Sequence, residues 1–177
     1  MSRRIGIWVG GSLALVGAFC FVALQAGLIV NTTKSIPMGL YIKTSNFEKG
    51  RVGDYVQICP PQTPVFLAAK QRGYIGAGYC PGGLGYMLKR VLAAKDDVVS
   101  VGGEGVRVNG QWVENSVPMV SDGAGRPMPF VAIEGRKLEQ GELLLMGKQS
   151  RKSFDGRYYG LVQSDQVVAV IQPVFVW

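Results

Sequence analysis

Residues 31–41 read N-T-T-K-S-I-P-M-G-L-Y, and this stretch joins an apolar segment to a series of short alternating runs. The proline two positions after Ser35 fixes φ and Gly39 permits a positive φ, so the stretch is typical of an exposed turn and is a poor helix. The turn leads into residues 40–42, a predicted strand. A serine on such a turn is a candidate nucleophile; alternatively, the segment is an ordinary loop without chemistry.

The chain before this turn is apolar, since the 26 residues from Ile5 to Val30 carry no charge. About 20 apolar residues cross a hydrocarbon core, whereas the apolar part of a signal peptide has about 7 to 15. We therefore predict a retained transmembrane helix, with residues 1–30 as tail and anchor and residues 31–177 as one folded domain. The alternative is a cleaved signal peptide that begins with Arg3 and Arg4.

The charge distribution bears on orientation and partners. Arg3 and Arg4 favour a cytoplasmic N-terminus, although lysines and an arginine after the apolar run weaken that signal. The net charge of +7 would suit nucleic acid, but the basic residues are dispersed along the chain and no nucleic-acid motif is present. We expect a basic surface near anionic membrane lipid and no nucleic-acid partner.

Beyond Gly39, short apolar runs alternate with polar residues between glycine and proline turns, which predicts a mostly β domain. Asn109-Gly110 is the strongest hairpin signal, because both residues tolerate the positive φ of a type I′ turn. One short helix is predicted at Pro64–Gln71, with Gly73 as its stop, and residues 121–129 are predicted to form a loop. The predicted strands are residues 40–43, 55–59, 86–92, 97–101, 106–108, 112–113, 143–146, 167–171 and 174–177.

Several kinds of site are excluded by composition. The sequence contains no histidine, which removes Ser-His-Asp triads, Cys-His dyads and histidine-based zinc sites. Only Cys59 and Cys80 lie outside the apolar run, so a cysteine-rich metal site is excluded, and the glycine-rich residues 82–85 and 102–105 lack the phosphate-loop pattern. We predict neither a cofactor nor a metal. In a domain outside the cytoplasm Cys59 and Cys80 would form a disulfide, contributing about 3 kcal/mol in the chain-entropy model; two buried free thiols are the alternative.

Three motifs occur in the order and spacing of the signal peptidase I superfamily, serine peptidase family S26. They are S-I-P-M-G-L-Y from Ser35, L-K-R-V-L around Lys89, and S-F-D-G-R-Y-Y-G from Ser153. Over nearly its whole length the chain most resembles the TraF-type conjugative transfer peptidases, which are membrane-anchored Ser/Lys peptidases that mature pilin subunits. The resemblance implies a signal-peptidase-like β domain on the periplasmic side of a bacterial inner membrane, with a single membrane pass. It also implies a pilin-like or secretory precursor as substrate and a conjugation or secretion machinery as partner.

The resemblance implies that Ser35 is the nucleophile and Lys89 its base. A lysine with the ordinary pKa of about 10.4 is protonated at pH 7, so burial must lower its pKa. Strand alternation places Met87, Lys89 and Val91 on one apolar face, and Arg90 on the opposite, solvated face. Without the other two motifs, a surface lysine on an edge strand would be the simpler interpretation.

Supporting roles also follow from the resemblance. Thr33, two positions before the nucleophile, and the N–H of Ser35 would bind the oxyanion; alternatively, Thr33 belongs to a polar cap at the membrane exit. Ser153 would bind the lysine amine, and Asp155, paired with Arg157, would order the site. In the TraF type this aspartate is itself considered catalytic. The residues alone predict only a turn with an exposed ion pair, which contributes little to stability.

Two departures from the general signal peptidase pattern weaken that assignment and leave the TraF-type assignment standing. Residues 147–149 read G-K-Q where bacterial signal peptidases carry G-D-N, and residues 93–97 read A-A-K-D-D where they carry L-P-G-D. We predict a membrane-anchored serine endopeptidase that processes a pilin-like precursor, with the acyl-enzyme resolved by water or, in a cyclisation, by the precursor's α-amino group. The alternatives are a general signal peptidase I and a catalytically inactive assembly component of a secretion channel.

Overall fold

The computed structural model describes residues 27–44, 50–147 and 149–177, together with Gly17. The strands are β1 Leu28–Asn31, β2 Gly39–Thr44, β3 Tyr55–Ile58, β4 Ala77–Cys80, β5 Met87–Ala93, β6 Val98–Gly102, β7 Gly105–Val108, β8 Gln111–Trp112, β9 Ile133–Lys137, β10 Glu142–Met146, β11 Leu161–Gln163 and β12 Val167–Val176. The helices are α1 Pro64–Gln71 and α2 Gly156–Tyr159, and two 3₁₀ turns span Pro81–Gly83 and Ser164–Gln166. The predicted mostly β domain is confirmed.

Most of the run that predicts a transmembrane helix lies outside the described residues. Its last part is not helical, because Leu28 to Val30 belong to β1, which pairs with β2 in an antiparallel register. The folded sheet therefore begins before the domain boundary predicted at residue 31. Among the helices that the structure describes, none has both the length and the apolar character needed to span a bilayer.

Two antiparallel sheets build the domain. The larger has the strand order β1-β2-β12-β3-β5-β10-β11, and the smaller has the order β8-β7-β6-β9. The core below the larger sheet contains the aromatic rings of Phe66, Phe154 and Tyr158, contributed by α1, by the loop before α2 and by α2 itself. Met87 and Val91 of β5 belong to this core, and Lys89 is buried on the same face of the strand.

Local signals in the sequence were reliable for turns and for the first helix. The hairpin at Asn109-Gly110 is confirmed, with φ of 51° and 80° at its two central residues. Helix α1 begins at Pro64 as predicted, and Gly73, with φ of 77°, follows its end. The loop at residues 121–129 is also confirmed, apart from an isolated bridge between Ser121 and Pro127.

Four strands were not predicted, namely β1, β4, β9 and β11. Strand β9 reads I-E-G-R-K and is mostly exposed, so it shows no alternation of apolar and polar residues. It forms because it pairs with β6, which lies more than thirty residues earlier in the chain. Pairing at such separation leaves no local signal in the sequence.

The two strands predicted at the C-terminus are one strand, β12. Pro173 interrupts the apolar pattern, but the chain continues past it with a register shift between Pro173 and Phe175 against β2. Strand β3 pairs with β12 only as far as Ile171, so beyond this point one edge of β12 is open among the described residues. Proline is tolerated in edge strands, where a residue without an N–H does not interrupt a ladder on both sides.

The predicted disulfide is present, joining Cys59 to Cys80 with their Cα atoms 5.5 Å apart. It connects the end of β3 to the end of β4, and the following turn returns the chain to β5. The bridge thus ties the segment that precedes Lys89 to the centre of the larger sheet.

Candidate active site

The loop between β1 and β2 carries Ser35 and is anchored by the residue beside it. Ile36 is buried against Tyr41 and Ile171, and the Tyr41 hydroxyl donates to the Pro37 carbonyl at 2.6 Å. Because its neighbour points into the core, Ser35 stays half-buried at the surface of the loop. The predicted exposed turn is therefore a rigid support for the hydroxyl.

Asn31 holds the same loop from its buried side, a role that was not predicted from the sequence. It is 1% exposed, and its Nδ2 donates to the carbonyl oxygens of Thr33, Ile36 and Pro37 at 3.0, 3.1 and 2.8 Å. Asparagine often bonds the backbone at the start of a turn, which was the available signal. From the sequence, the polar residues here are predicted only as a cap at the membrane exit.

Thr33 is exposed two positions before Ser35, and its hydroxyl donates to Asn31 Oδ1 at 2.8 Å. The same Oδ1 accepts from the Thr33 N–H at 3.0 Å. The Thr33 hydroxyl would have to rotate away from Asn31 to donate to an oxyanion. The hydrogen bond from the Thr33 N–H would then still hold Asn31 Oδ1 in place. The oxyanion role of Thr33 stays a prediction.

Lys89 and the two serines form one hydrogen-bonded group. The Lys89 Nζ lies 2.8 Å from Ser35 Oγ and 3.0 Å from Ser153 Oγ, and the two hydroxyl oxygens are 3.3 Å apart. Residues Met87, Lys89, Val91 and Ala93 are the buried members of β5, which confirms the predicted alternation. Arg90 lies on the other face, where it is half-buried and donates to the Gly53 carbonyl at 3.1 Å.

Burial changes the protonation of this amine. Lys89 is 3% exposed, and its desolvation lowers its pKa from 10.5 to about 8. The Asp155 carboxylate opposes that shift of the pKa, and the Arg157 guanidinium reinforces it. With a pKa of about 8, roughly one tenth of the amine is neutral at pH 7, and this neutral fraction is able to accept a proton.

If Lys89 takes the Ser35 proton in a cleavage reaction, kcat/KM should rise with pH and level off above an apparent pKa of about 8, because only a neutral amine can accept a proton. The measurement is kcat/KM of the full-length enzyme on a peptide substrate between pH 6 and 10. A profile that keeps rising through about pH 10.5, the ordinary lysine value, would show that a solvated lysine is titrating.

The Asp155–Arg157 ion pair is buried, so its prediction as an exposed pair was wrong. Both side chains have 0% exposure, with Arg157 Nε 2.8 Å from Asp155 Oδ1 and Nη2 2.9 Å from Oδ2. The carbonyl oxygens of Asn115 and Val117 cover the guanidinium, accepting from Nη1 at 3.4 and 3.5 Å. These carbonyls lie about forty positions earlier in the sequence, so the motif alone shows nothing of the burial.

Asp155 contacts the backbone next to the Ser35–Lys89–Ser153 group and does not contact the Ser35 hydroxyl or the Lys89 amine. Its Oδ2 accepts from the Gly147 N–H at 3.0 Å, and no hydrogen bond joins it to Ser35 or Lys89 in the described part of the chain. A Cβ at Gly147 would collide with Ser153 Oγ and lie 3.1 Å from the Ser35 carbonyl oxygen. Glycine therefore lets this backbone approach both serines closely.

Ser35 and Lys89 line a cleft of about 310 Å³. One wall is β1 with the Ser35 loop, and the other is formed by residues 74–76 and the start of β5. In the described residues no cluster of three His, Cys, Asp or Glu side chains is placed to hold a metal ion. The chemistry available in the cleft is a nucleophilic hydroxyl beside a buried amine.

Comparison with known proteins extends over the whole chain. The family described as signal peptidase, peptidase S26, matches residues 3–177. A plasmid transfer protein TraF from Escherichia coli is 52% identical over 173 residues, covering 97% of this chain and 94% of that protein. Another from the same species is 48% identical over 178 residues, covering 100% and 97%. A signal peptidase I structure from Enterococcus faecalis covers 71% of this chain and 98% of its own, with 15% identity and a TM-score of 0.39.

Proposed function

Because the chain belongs to the signal peptidase S26 family, we propose that it is a serine endopeptidase with Ser35 as nucleophile and Lys89 as general base. One observation carries the proposal: the Lys89 amine is buried, has its pKa lowered to about 8, and lies 2.8 Å from Ser35 Oγ. A base must lie within hydrogen-bond reach of the proton that it takes and must have a pKa near the working pH. The amine meets both conditions.

In the proposed reaction neutral Lys89 takes the Ser35 proton while Oγ attacks the scissile carbonyl carbon. The Ser35 N–H and the Thr33 hydroxyl stabilise the oxyanion, and Lys89 then passes its proton to the leaving amine. The Ser153 hydroxyl, 3.0 Å from Nζ, holds the amine towards Ser35 throughout. The product is an ester on Ser35 that a second nucleophile must resolve.

The strand edges beside the cleft suit an extended peptide substrate. Strand β1 is the last strand of its sheet, and β10 pairs with β5 only at Arg90, Val91 and Ala93. The edge of β5 at Met87 to Lys89 therefore has no strand partner on that side among the described residues. An extended segment can bond to such an edge through its main chain, which places its carbonyl carbons beside Ser35.

The substrate that we propose is a pilin-like precursor of a conjugative transfer or type IV secretion system. The support is the high identity, over nearly full length, to two proteins named plasmid transfer protein TraF. Water can resolve the ester, but the α-amino group of a precursor whose two ends meet at the site would have an effective molarity that can reach about 10⁵ M. Cyclisation is then the favoured outcome.

We expect co-expression with the precursor to yield a trimmed product with the wild-type enzyme and none with Ser35→Ala. Intact-mass spectrometry decides the fate of the ester, because a head-to-tail product is one water lighter than the trimmed linear chain and lacks a free N-terminus. Only linear product from an active enzyme would contradict cyclisation.

Processing of ordinary secretory precursors would favour a general signal peptidase. No acyl-enzyme with the native precursor would favour an inactive assembly component.

We also propose that the domain works at the periplasmic surface of the inner membrane, next to the apolar run. Four exposed apolar residues are called here the apolar rim: Val30 on β1, Val174 and Phe175 on β12, and Trp177 just after β12. Val30 and Phe175 both lie opposite Leu40 of β2, the strand between β1 and β12. The rim adjoins the Ser35 loop, since the Trp177 N–H donates to the Met38 carbonyl at 3.1 Å. Aromatic residues favour the membrane interface, so the rim would bring the cleft to the lipid surface.

We expect the double substitution Phe175→Glu and Trp177→Glu to slow cleavage of a membrane-embedded precursor about 10-fold or more, since each charge replaces a ring that the interface would bury. Cleavage of a short soluble peptide should change little. Phe130→Glu, at a residue that is exposed in a loop before β9, is the matched control. Equal loss on both substrates would contradict membrane contact through the rim.

A further inference from the structure

The cleft contains a polar side chain that the proposed reaction does not use. Gln57 lines the cleft together with Ser35 and Lys89, and it is 6% exposed. Its Oε1 is buried and has no hydrogen-bond partner among the described residues. Buried polar atoms are almost always paired, so an unpaired carbonyl at this depth indicates a missing partner.

Packing does not account for an amide at this position. Gln57 lies on β3 in the middle of the larger sheet, opposite Leu88 on β5 and Ala169 on β12. Its neighbours along β3, Val56 and Ile58, are buried in the core on the other face. An apolar side chain would suit such surroundings and would leave no polar atom unpaired.

The rest of this part of the cleft is apolar. Ile29, Ile75, Met87 and Leu88 are among the residues that line it, and Leu88 lies opposite Gln57 on the neighbouring strand. A single acceptor among apolar groups discriminates strongly between ligands that carry a matching donor and ligands that lack one, because the second kind leaves the acceptor unpaired. The only charged group lining the cleft among the described residues is Lys89, which disfavours a second ammonium and favours a neutral donor.

We propose that Gln57 is a specificity-determining residue that accepts a hydrogen bond from a small hydroxyl side chain of the precursor. This inference rests on the proposed function and names the substrate chemistry of the same cleft. In an extended substrate alternate side chains point to the same face, so one residue before the scissile bond reaches Oε1. Serine is the expected residue there, because the cleft of about 310 Å³ also has to hold the substrate main chain.

The test uses the full-length enzyme and peptides that span the precursor cleavage site. Each of the four residues before the scissile bond is in turn alanine, serine or O-methylserine, which keeps the oxygen but cannot donate. At one position we expect kcat/KM for serine to exceed that for alanine and for O-methylserine by about 10-fold, the value of one good hydrogen bond. Gln57→Met should abolish this preference. Gln172→Met, on the exposed face of β12, should keep it.

Each other outcome overturns the inference. Equal rates for alanine and serine at every position would mean that water satisfies Gln57. Equal rates for serine and O-methylserine would exclude the donor, and a preference that survives in Gln57→Met would assign it to another residue. If Gln57→Met does not fold, the wild-type rates for the alanine, serine and O-methylserine peptides still decide whether a hydroxyl donor is recognised. Cleavage of no peptide at all would overturn the proposed function and this inference with it.

Discussion

Ser35→Ala and Lys89→Ala are each expected to lower kcat/KM by about 10⁴-fold or more, and the double variant is expected to be no worse than either single variant. The reason is that nucleophile and base act as one unit, with Nζ 2.8 Å from Oγ. The measurement is cleavage of a precursor peptide by the full-length variants. Lys95→Ala, at an exposed lysine after β5, is the matched control. Normal turnover by either folded variant would disprove the dyad.

Replacing Lys89 by an apolar side chain should raise the free energy of unfolding, although it lowers kcat/KM. The folded-state pKa is about 8 and the ordinary value is 10.5, so the unfolded chain binds more protons between these pH values. The free energy of unfolding of the wild type therefore rises with pH in this window, and below it burial of the ammonium costs about 3 kcal/mol. Lys89→Met removes that cost.

We expect urea denaturation to show Lys89→Met as more stable than the wild type at pH 7, with a difference that shrinks as the pH approaches 10.5. The same variant should be inactive. Burial of Lys89 would then lower the stability of the wild type and also supply a base that works near neutral pH. A difference in unfolding free energy that does not depend on pH would contradict the burial of a titrating amine.

Asp155→Ala is expected to lower the free energy of unfolding by about 3 to 5 kcal/mol, because it leaves the Arg157 guanidinium buried without its partner. Both side chains have 0% exposure. Activity should fall as well, since Arg157 Nη2 donates to the Ser153 carbonyl at 3.1 Å and Asp155 holds the Gly147 N–H. The measurements are urea denaturation and kcat/KM. Asp96→Ala breaks the exposed Lys137–Asp96 pair and should change neither.

A double variant separates stability from function at this site. Asp155→Leu combined with Arg157→Met replaces the buried pair by apolar side chains, which is often neutral or stabilising. We expect it to recover much of the stability lost in Asp155→Ala while activity stays low, because Gly147 and Ser153 lose their partners. A double variant with normal kcat/KM would show that Asp155 has no positioning role.

Much of the local structure follows from short-range patterns. The turn at Ser35, the hairpin at Asn109-Gly110 and helix α1 depend on neighbouring residues, and each is where the sequence predicts it. The alternation of β5 likewise predicts that Lys89 faces the core. The absence of histidine limits the base to another side chain. Resemblance, rather than any local rule, pairs Lys89 with Ser35, since 54 positions separate them.

Tertiary structure alone decided how each functional side chain is buried. Carbonyl oxygens of Asn115 and Val117 accept from the Arg157 guanidinium in the buried Asp155–Arg157 pair. Gln57 is buried on β3, which lies between two strands from distant parts of the chain. Burial sets the pKa of Lys89 and the cost of an unpaired polar atom. It depends on which distant segments pack together, and a motif a few residues long does not contain that information.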